Sequence, residues 1–221
     1  MTITYEGSAA MSPSLLLLGL LWLTHFTLHS LGASLWLKNL VAQRHPAWMP
    51  GYRLLFNLQA SLLLLPPLGL MWWLGGEPLW RYTGAWNALR WLLMLLALIG
   101  FVGSLRYYDG GEFLGIKQLR EGLGEARDQE RLQISPLHRF VRHPWYSLAL
   151  VVIWCQEMDG PRLLSALLVS AYLLIGSWLE ERKLMIYHGE RYRRYRARVA
   201  GLVPLPWRIL TKAQAEELLR E

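Results

Sequence analysis

Apolar residues collect in blocks of about 20 along this chain, and most charged residues stand between the blocks. A helix of about 20 residues crosses the roughly 30 Å hydrocarbon core of a bilayer, because each residue adds about 1.5 Å. We place five predicted transmembrane helices at 13–37, 52–74, 85–105, 144–158 and 162–179. The pattern therefore predicts an all-α, polytopic membrane protein with about five transmembrane helices and a C-terminal interfacial helical tail.

The predicted helices leave no stretch for a separate soluble domain, so we expect one integral membrane domain over residues 1–221. A three-span part covers 13–105, a cytoplasmic loop covers 106–142, and a hairpin with its tail covers 143–221. Repeated glycines interrupt the loop, which is typical of a lid or of a substrate-binding loop.

The last two predicted spans are joined by Gly160-Pro161, a tight connection that favours an antiparallel hairpin. Such a hairpin brings Arg142-His143 close to Glu180-Glu181. In the tail, Tyr192 and Tyr195 are three residues apart and share one helical face, with arginines on another, a pattern typical of an interfacial helix. Thr211-x-x-Gln214 fits a capping box and predicts a final short helix.

Charge sets the predicted orientation. The chain has 23 Lys and Arg against 16 Asp and Glu, a formal net charge of +7. The basic residues flank the apolar blocks and are richest in the 106–142 segment and after the last block, as the cytoplasmic flanks of membrane helices are. The N-terminus is thus expected outside and the C-terminus in the cytoplasm, with a lipid bilayer and not nucleic acid as the partner.

The lone Cys155 gives no disulfide and no metal-ligand spacing, so no metal site is expected.

Two clusters of ionisable residues lie at the predicted membrane boundary, where burying charge is costly and a functional role is the first hypothesis. One contains Arg142-His143-Pro144 and Tyr146, and the other contains Glu180-Glu181. Pro144 fits the first turn of a helix, which leaves the preceding cations at the mouth of the span.

The order Arg-His-Pro-x-Tyr, then Glu-Glu-x-x-Leu, then Gly-x-x-Tyr-x-x-Tyr and Val-Pro, over roughly 138–206, resembles the isoprenylcysteine carboxyl methyltransferase and phospholipid methyltransferase superfamily. The resemblance implies an S-adenosylmethionine-dependent methyltransferase. It implies that the 143–221 part binds this cofactor. The cofactor-binding residues would be Arg142, His143, Pro144, Tyr146, Glu180, Glu181, Tyr192 and Tyr195.

Softer motifs in the N-terminal half resemble the bacterial branch that includes methanethiol S-methyltransferase and the NnrU-like membrane proteins. They are His29-Ser30-Leu31-x-Ala33-Ser34, Tyr52 to Asn57, and Phe113 to Gln118. This branch implies a bacterial inner-membrane location and a small thiol as the methyl acceptor. The sequence departs from many relatives at Leu148, where they have Gly.

Polar residues inside or beside the N-terminal spans are candidates for binding the acceptor. His25 and His29 share one face of the first span, where interhelical hydrogen bonds and acceptor binding are both open. For Arg53 and Asn57 the same two roles are open, and a structural role is favoured over acceptor binding. Asp109 and Glu112 either contact the acceptor or pair with Arg106.

Methyl transfer from a sulfonium is an in-line displacement, and a thiol acceptor reacts as its thiolate. His29 and His143 are the two candidates for the catalytic base, and the sequence does not choose between them. A lipid-like acceptor, either a prenylcysteine carboxylate or a phospholipid amine, is the alternative to a small thiol. A non-enzymatic NnrU-like membrane protein is a third reading. The oligomeric state is left open.

Overall fold

The computed structural model describes residues 12–122, 132 and 134–220. Within them the chain forms nine α-helices and no named strand. They are α1 Pro13–Ala33, α2 Leu35–Arg44, α3 Met49–Leu74, α4 Gly84–Leu105, α5 Gly110–Leu114, α6 Ile116–Glu121, α7 Pro144–Trp154, α8 Gly160–Arg198 and α9 Lys212–Arg220.

Four of the described helices, α1, α3, α4 and α8, are long and apolar enough to cross a membrane. Their outer faces consist of leucines and other large apolar side chains that the protein itself leaves uncovered. An exposed apolar surface of this extent is stable in lipid and unfavourable in water. The predicted all-α membrane fold is confirmed, and the protein is an integral membrane protein.

The fourth predicted span is shorter than expected. Its helix, α7, has 11 residues, which cover about 16 Å, or half of the hydrocarbon core. The chain then continues in an irregular segment to Met158, which pairs with Trp80 beyond the end of α3. At this length α7 is too short to cross a bilayer as a helix, and among the described helices four, not five, are long and apolar enough to do so.

Two other predicted boundaries moved. The first span ends at Ala33 instead of Leu37, because the Ser34 hydroxyl accepts a hydrogen bond from the Leu37 backbone and begins α2. The last span does not stop at 179. Instead α8 continues to Arg198 and is broken at Gly189, whose φ of 50° and ψ of −122° are not helical.

The membrane helices pack around α1, which contacts both α3 and α8. The Trp22 indole donates to the Ser165 hydroxyl of α8 at 2.9 Å, and Leu18 and Trp22 form a buried cluster with Met71 of α3. Beside them, α4 packs on α7. This arrangement leaves the start of α7 and the end of α8 at the same end of the bundle.

The predicted loop at 106–142 contains two short helices, α5 and α6, which pack on α3, and a 3-10 turn at Leu137–Arg139. Residues 123–131 and 133 of this loop lie outside the described residues. The prediction of a lid falls partly on them and stays a prediction. Gly115 joins α5 to α6 with φ of +88°. A Cβ there would stand 2.6 Å from the backbone nitrogen of Leu54, so only glycine allows this close approach.

The C-terminal tail has a small core of its own, formed by Tyr192, Tyr195, Val199, Leu210, Ala215 and Leu218. The predicted face shared by the two tyrosines is therefore the buried face. The predicted capping box is confirmed, since Gln214 nitrogen donates to the Thr211 hydroxyl at 3.2 Å and Thr211 nitrogen donates to Gln214 Oε1 at 2.9 Å.

We predict that Gly115→Ala destabilises the protein by at least about 2 kcal/mol, because a side chain at this φ is strained and meets the α3 backbone. Thermal unfolding in detergent measures the effect. Gly103→Ala is the matched control, since it lies inside α4 with open space around its Cα, and alanine there favours the helix. Equal melting temperatures for the two variants would contradict the docking of α5 on α3.

Candidate functional site

The start of α7 and the cytoplasm-facing end predicted for α8 meet in one cluster of charged side chains. His143 is the N-cap residue of α7, and Pro144 stands in its first turn. The Arg142 backbone nitrogen donates to the carbonyls of Ala200 and Gly201 at 2.8 and 3.0 Å. The predicted proximity of Arg142-His143 to Glu180-Glu181 is confirmed. The role of these residues in binding a cofactor stays a prediction.

Glu181 lies at the centre of the cluster with 8% of its side chain exposed. Arg142 donates to its Oε1 through Nε at 2.8 Å and through Nη2 at 2.7 Å. His143 Nε2 is 3.2 Å from the same oxygen, and Arg196 Nε is 3.0 Å from Oε2. Three cations thus neutralise one buried carboxylate, which has little capacity left for a ligand.

Arg142 also donates to backbone carbonyls of the tail, namely those of Val199 and Arg196. Its guanidinium therefore joins the start of α7 to both the end of α8 and the chain that follows. These four hydrogen bonds from one planar guanidinium are specific to arginine and would not survive replacement by lysine.

His143 is 5% exposed and lies between two carboxylates. Its Nδ1 is 3.3 Å from Glu180 Oε2, and its Nε2 faces Glu181. Burial lowers the pKa of His143, but its hydrogen bonds and charge interactions with Glu180 and Glu181 outweigh burial, and the net pKa lies above the ordinary 6.5. With both ring nitrogens facing carboxylates, the surroundings favour the cationic form of the imidazole.

Glu180 differs from its neighbour, because 40% of its side chain is exposed. His143 is the ion-pair partner found for it among the described residues. Its charge also acts on the nearby Tyr108, whose ring contacts Trp145 at 4.8 Å between centroids. The ring of Tyr146 stacks on His143 at 5.5 Å with an interplanar angle of 8°. Glu180 is therefore the accessible carboxylate of the cluster, with aromatic rings nearby.

The two tail tyrosines have different surroundings. Tyr195 donates to the His138 carbonyl at 2.7 Å. The Tyr192 hydroxyl is buried near the charges of Glu181 and Arg142, and it has no hydrogen-bond partner among the described residues. A buried hydroxyl without a partner is costly, so this hydroxyl is a candidate contact for a polar group beyond the described residues.

A cleft of about 300 Å³ lies beside this cluster, lined by Trp178, Glu181, Arg182, Met185, Ile186 and Arg196. It has the size of a small ligand pocket. Arg182 and Glu180 are two residues apart on α8, so their side chains leave the helix about 200° apart and face different sides. The cleft and the accessible Glu180 are therefore two distinct candidate positions for a ligand.

Some residues of the site were not among the predicted ones. Arg196 was assigned to no role, since its partner lies 15 positions earlier and is reached only through the reversal at Gly189. His138 was also missed. Burial and the charge of His143 lower its pKa to about 4, and its Nδ1 is 2.7 Å from the Ser135 hydroxyl. The Ser-x-x-His spacing was the available signal.

The structure brings the N-terminal candidates into helix contacts. His29 Nδ1 is 2.7 Å from the Tyr172 hydroxyl of α8, and the His25 ring lies 5.8 Å from the His29 ring. Arg53 donates to the Glu112 carbonyl at 3.0 Å, and Asn57 donates to the carbonyls of Phe113 and Leu114. Arg53 and Asn57 thus hold α5 on α3, as the favoured structural reading has it.

Asp109 and Glu112 do not pair with Arg106 among the described contacts. Asp109 is the N-cap of α5 and accepts hydrogen bonds from the nitrogens of Gly111 and Glu112. Lys117 is the basic partner of both carboxylates, at 3.6 and 3.9 Å. The chain turns back between α5 and α6, which places Lys117 closer than the sequence suggests. Their contact with an acceptor stays a prediction.

We predict that Glu181→Gln destabilises the protein by about 3 kcal/mol, because it leaves the buried Arg142 guanidinium without its counter-charge. Thermal unfolding in detergent measures the loss. Glu190→Gln removes an exposed carboxylate paired with Arg193, and such a pair contributes less than about 1 kcal/mol. A Glu181→Gln variant as stable as Glu190→Gln would mean that the cluster adds nothing to stability.

The raised pKa of His143 predicts a pH dependence of stability. Folding favours the protonated ring, so its contribution is complete below the unfolded pKa of about 6.5 and is lost as pH rises through the higher folded pKa. Melting temperatures above pH 6.5 should therefore fall more steeply for the unmodified protein than for His143→Gln. The exposed His45 offers a control, His45→Gln, which should follow the unmodified protein. Parallel curves for all three proteins would contradict the charged state of His143.

Comparison of the sequence with known proteins identifies its relatives. The chain is 31% identical over 211 residues to a methanethiol S-methyltransferase of Pseudomonas deceptionensis, which covers 90% of this chain and 76% of the relative. It is 32% identical over 152 residues to the methanethiol S-methyltransferase of Pseudomonas sp. strain GM41(2012), covering 66% of this chain. It is also 29% identical over 109 residues to nurim of Xenopus laevis, covering 44% of this chain and 38% of nurim.

The chain spans 57% of the length of the strain GM41(2012) relative. No family model and no solved structure matches it significantly. The resemblance found in the motifs is confirmed, and a methyltransferase name implies a methyl donor. With 31% identity over 90% of its length, the chain belongs to the methanethiol S-methyltransferase family.

Proposed function

We propose that this protein is a membrane methyltransferase that transfers a methyl group from S-adenosylmethionine to a small thiol such as methanethiol. The family supports the reaction class and the acceptor. The observation that supports a donor site is the cluster at the start of α7 and the end of α8, where Glu180 is accessible while its neighbour Glu181 is fully engaged.

The residues present fit the donor chemically. S-adenosylmethionine has a charged amino group, a carboxylate, ribose hydroxyls and an adenine ring. The Glu180 carboxylate suits the amino group or the ribose, and the Tyr192 hydroxyl lacks a protein partner among the described residues. The rings of Tyr146 and Tyr108 are near enough to the accessible carboxylate to cover an aromatic or a cationic group.

The orientation in the membrane follows from charge. The described helix ends at 33–53, 106–122, 134–143 and 180–220 are joined by contacts such as Lys183 to Ala33, Arg53 to Glu112 and His143 to Glu180, and so lie at one end of the bundle. The sequence places most of its basic residues in the segments 33–53, 106–143 and 180–220. We propose that this end is cytoplasmic, in a bacterial inner membrane, with the N-terminus outside. The donor site then faces the compartment in which water-soluble cosubstrates are available.

When bound, S-adenosylmethionine supplies an electrophilic methyl group on a sulfonium. The protein then has to align the acceptor sulfur with the methyl group and to exclude water. Arg142, His143 and Glu181 hold α7, α8 and the tail together around this position. Their contribution is a rigid frame that keeps Glu180 in place.

One observation favours a lipid-like acceptor as a second candidate. A cleft of about 540 Å³ opens between α2 and α3, lined almost wholly by apolar side chains, several of them facing the membrane. A prenyl or acyl chain would fit such a surface. A non-enzymatic NnrU-like role is the third alternative, and it predicts no transfer to any acceptor.

The deciding experiment uses purified protein in detergent with methyl-labelled S-adenosylmethionine and three groups of acceptors: small thiols, prenylcysteines and phospholipids. The proposal expects label in the methylated thiol. Label in prenylcysteine or phospholipid alone would replace the thiol with a lipid-like acceptor. Label in none, with no binding of the donor by calorimetry, would end the enzyme hypothesis.

We predict that Glu180→Gln weakens donor binding by about tenfold or more, because a charge-assisted hydrogen bond contributes about 1.5–3 kcal/mol. Calorimetry measures the affinity, and Glu190→Gln is the control. Arg182→Gln tests the cleft on the other side of α8. Weaker binding by Arg182→Gln, together with unchanged affinity in Glu180→Gln, would move the donor into that cleft.

A further inference from the structure

A second polar cluster lies inside the membrane part, between α1 and α8. His29 Nδ1 is 2.7 Å from the Tyr172 hydroxyl, and Ser30 Oγ is 3.1 Å from the same hydroxyl. Tyr172 precedes Glu180 by two turns of α8, or about 12 Å along the helix axis. Ionisable side chains at this depth are costly and favour a functional explanation.

His25 adds a direct sign of a missing partner. It is 8% exposed, its ring lies 5.8 Å from that of His29, and its Nδ1 has no hydrogen-bond partner among the described residues. A cluster that served only to join two helices would satisfy its own buried polar atoms. The unpartnered nitrogen indicates that a further polar or sulfur-containing group belongs beside it.

Of the two candidate bases, the geometry disfavours His143. Both of its ring nitrogens face carboxylates, at 3.3 and 3.2 Å, so neither nitrogen is directed at an acceptor and the surroundings favour the ring without a free lone pair. His29 has no carboxylate among its described contacts. Its neighbours are His25 on its own helix, Tyr172 on α8 and Phe56 on α3.

One assignment of donors and acceptors in this cluster leaves a ring nitrogen of His29 free to accept a proton. If His29 Nδ1–H donates to Tyr172, the Tyr172 hydroxyl donates in turn to Ser30, and Nε2 of His29 keeps its lone pair. We propose that Tyr172 is a positioning residue that holds His29 in this tautomer, so that Nε2 of His29 accepts the proton of the acceptor thiol. This inference rests on the proposed thiol methyltransferase function.

An apolar cleft lies next to this cluster, on the other side of one aromatic ring. Phe56 contacts the His29 ring at 5.1 Å between centroids, and it also lines the apolar cleft between α2 and α3. Gly32 lies at the same place, and a Cβ there would meet the Phe56 ring at 2.8 Å. The Phe56 ring therefore separates the cleft from His29, and a small apolar thiol partitions readily into such a cleft.

The reaction balances without a further reactant. The thiol S–H bond breaks and its proton goes to Nε2 of His29, while a sulfur lone pair forms the new bond to the methyl group. The bond between methyl and sulfonium breaks, and its electron pair stays with S-adenosylhomocysteine. His29 returns its proton to water, so the net products are the methyl thioether, S-adenosylhomocysteine and one proton.

The test compares two acceptors that differ in their need for a base. An alkanethiol is mostly protonated at pH 7, whereas an acidic aromatic thiol such as 4-nitrothiophenol is mostly ionised. Tyr172→Phe keeps the ring that stacks on Phe26 and removes only the hydroxyl. We expect kcat for the alkanethiol at pH 7 to fall by about 100-fold and to recover as pH approaches the thiol pKa. We expect the rate for the aromatic thiolate to stay near that of the unmodified protein.

His29→Ala should show the same selective loss, and Tyr82→Phe is the matched control. Tyr82 donates to the Trp154 carbonyl at the far end of the bundle, so losing its hydroxyl should affect neither acceptor. Donor affinity, measured by calorimetry, should be unchanged in Tyr172→Phe. Equal losses for both acceptors, or no loss for either, would overturn the role of Tyr172 while leaving the proposed function intact. No methylation of any thiol by the unmodified protein would overturn both.

Discussion

The architecture depends on neutralising one carboxylate in a place that water barely reaches. Glu181 is stable there only if cations contact it, and the three that do so come from the start of α7 and from the tail beyond Gly189. Two of the three have another attachment, Arg142 to the Val199 carbonyl and His143 to Glu180. The requirement for charge balance therefore sets where α7 begins and where the tail lies, and both define the surroundings of Glu180.

Much of the fold is readable from the sequence, because a bilayer imposes a length and an apolar character on each crossing helix. The blocks that became α1, α3, α4 and α8 followed this constraint closely. α7 is the exception, because it ends after 11 residues at Trp154 and the chain continues without a helix to α8. The break at Gly189 is not evident from the sequence pattern either. The flanking residues are helical in pattern, and the contact of Arg196 with Glu181, which the break permits, joins residues 15 positions apart.

The sequence predicts which residues form the site, but it does not predict which contacts each of them makes. The hairpin argument brought Glu180 and Glu181 to Arg142-His143, yet neighbours on a helix point about 100° apart and so meet different surroundings. Glu181 is buried and Glu180 is exposed because of how the helices pack, and the spacing of residues in the sequence does not reveal this. The two histidines likewise differ through their partners: carboxylates for His143, and a tyrosine hydroxyl for His29.

The break at Gly189 has a consequence for biosynthesis. The ribosome makes Arg142, His143 and Glu181 before it makes Arg196, so the first two basic partners of the carboxylate are available before the third. The third contact forms only after the chain beyond Gly189 has been made and has turned back. The contacts of Glu181 are therefore completed after the membrane part of α8 has been synthesised.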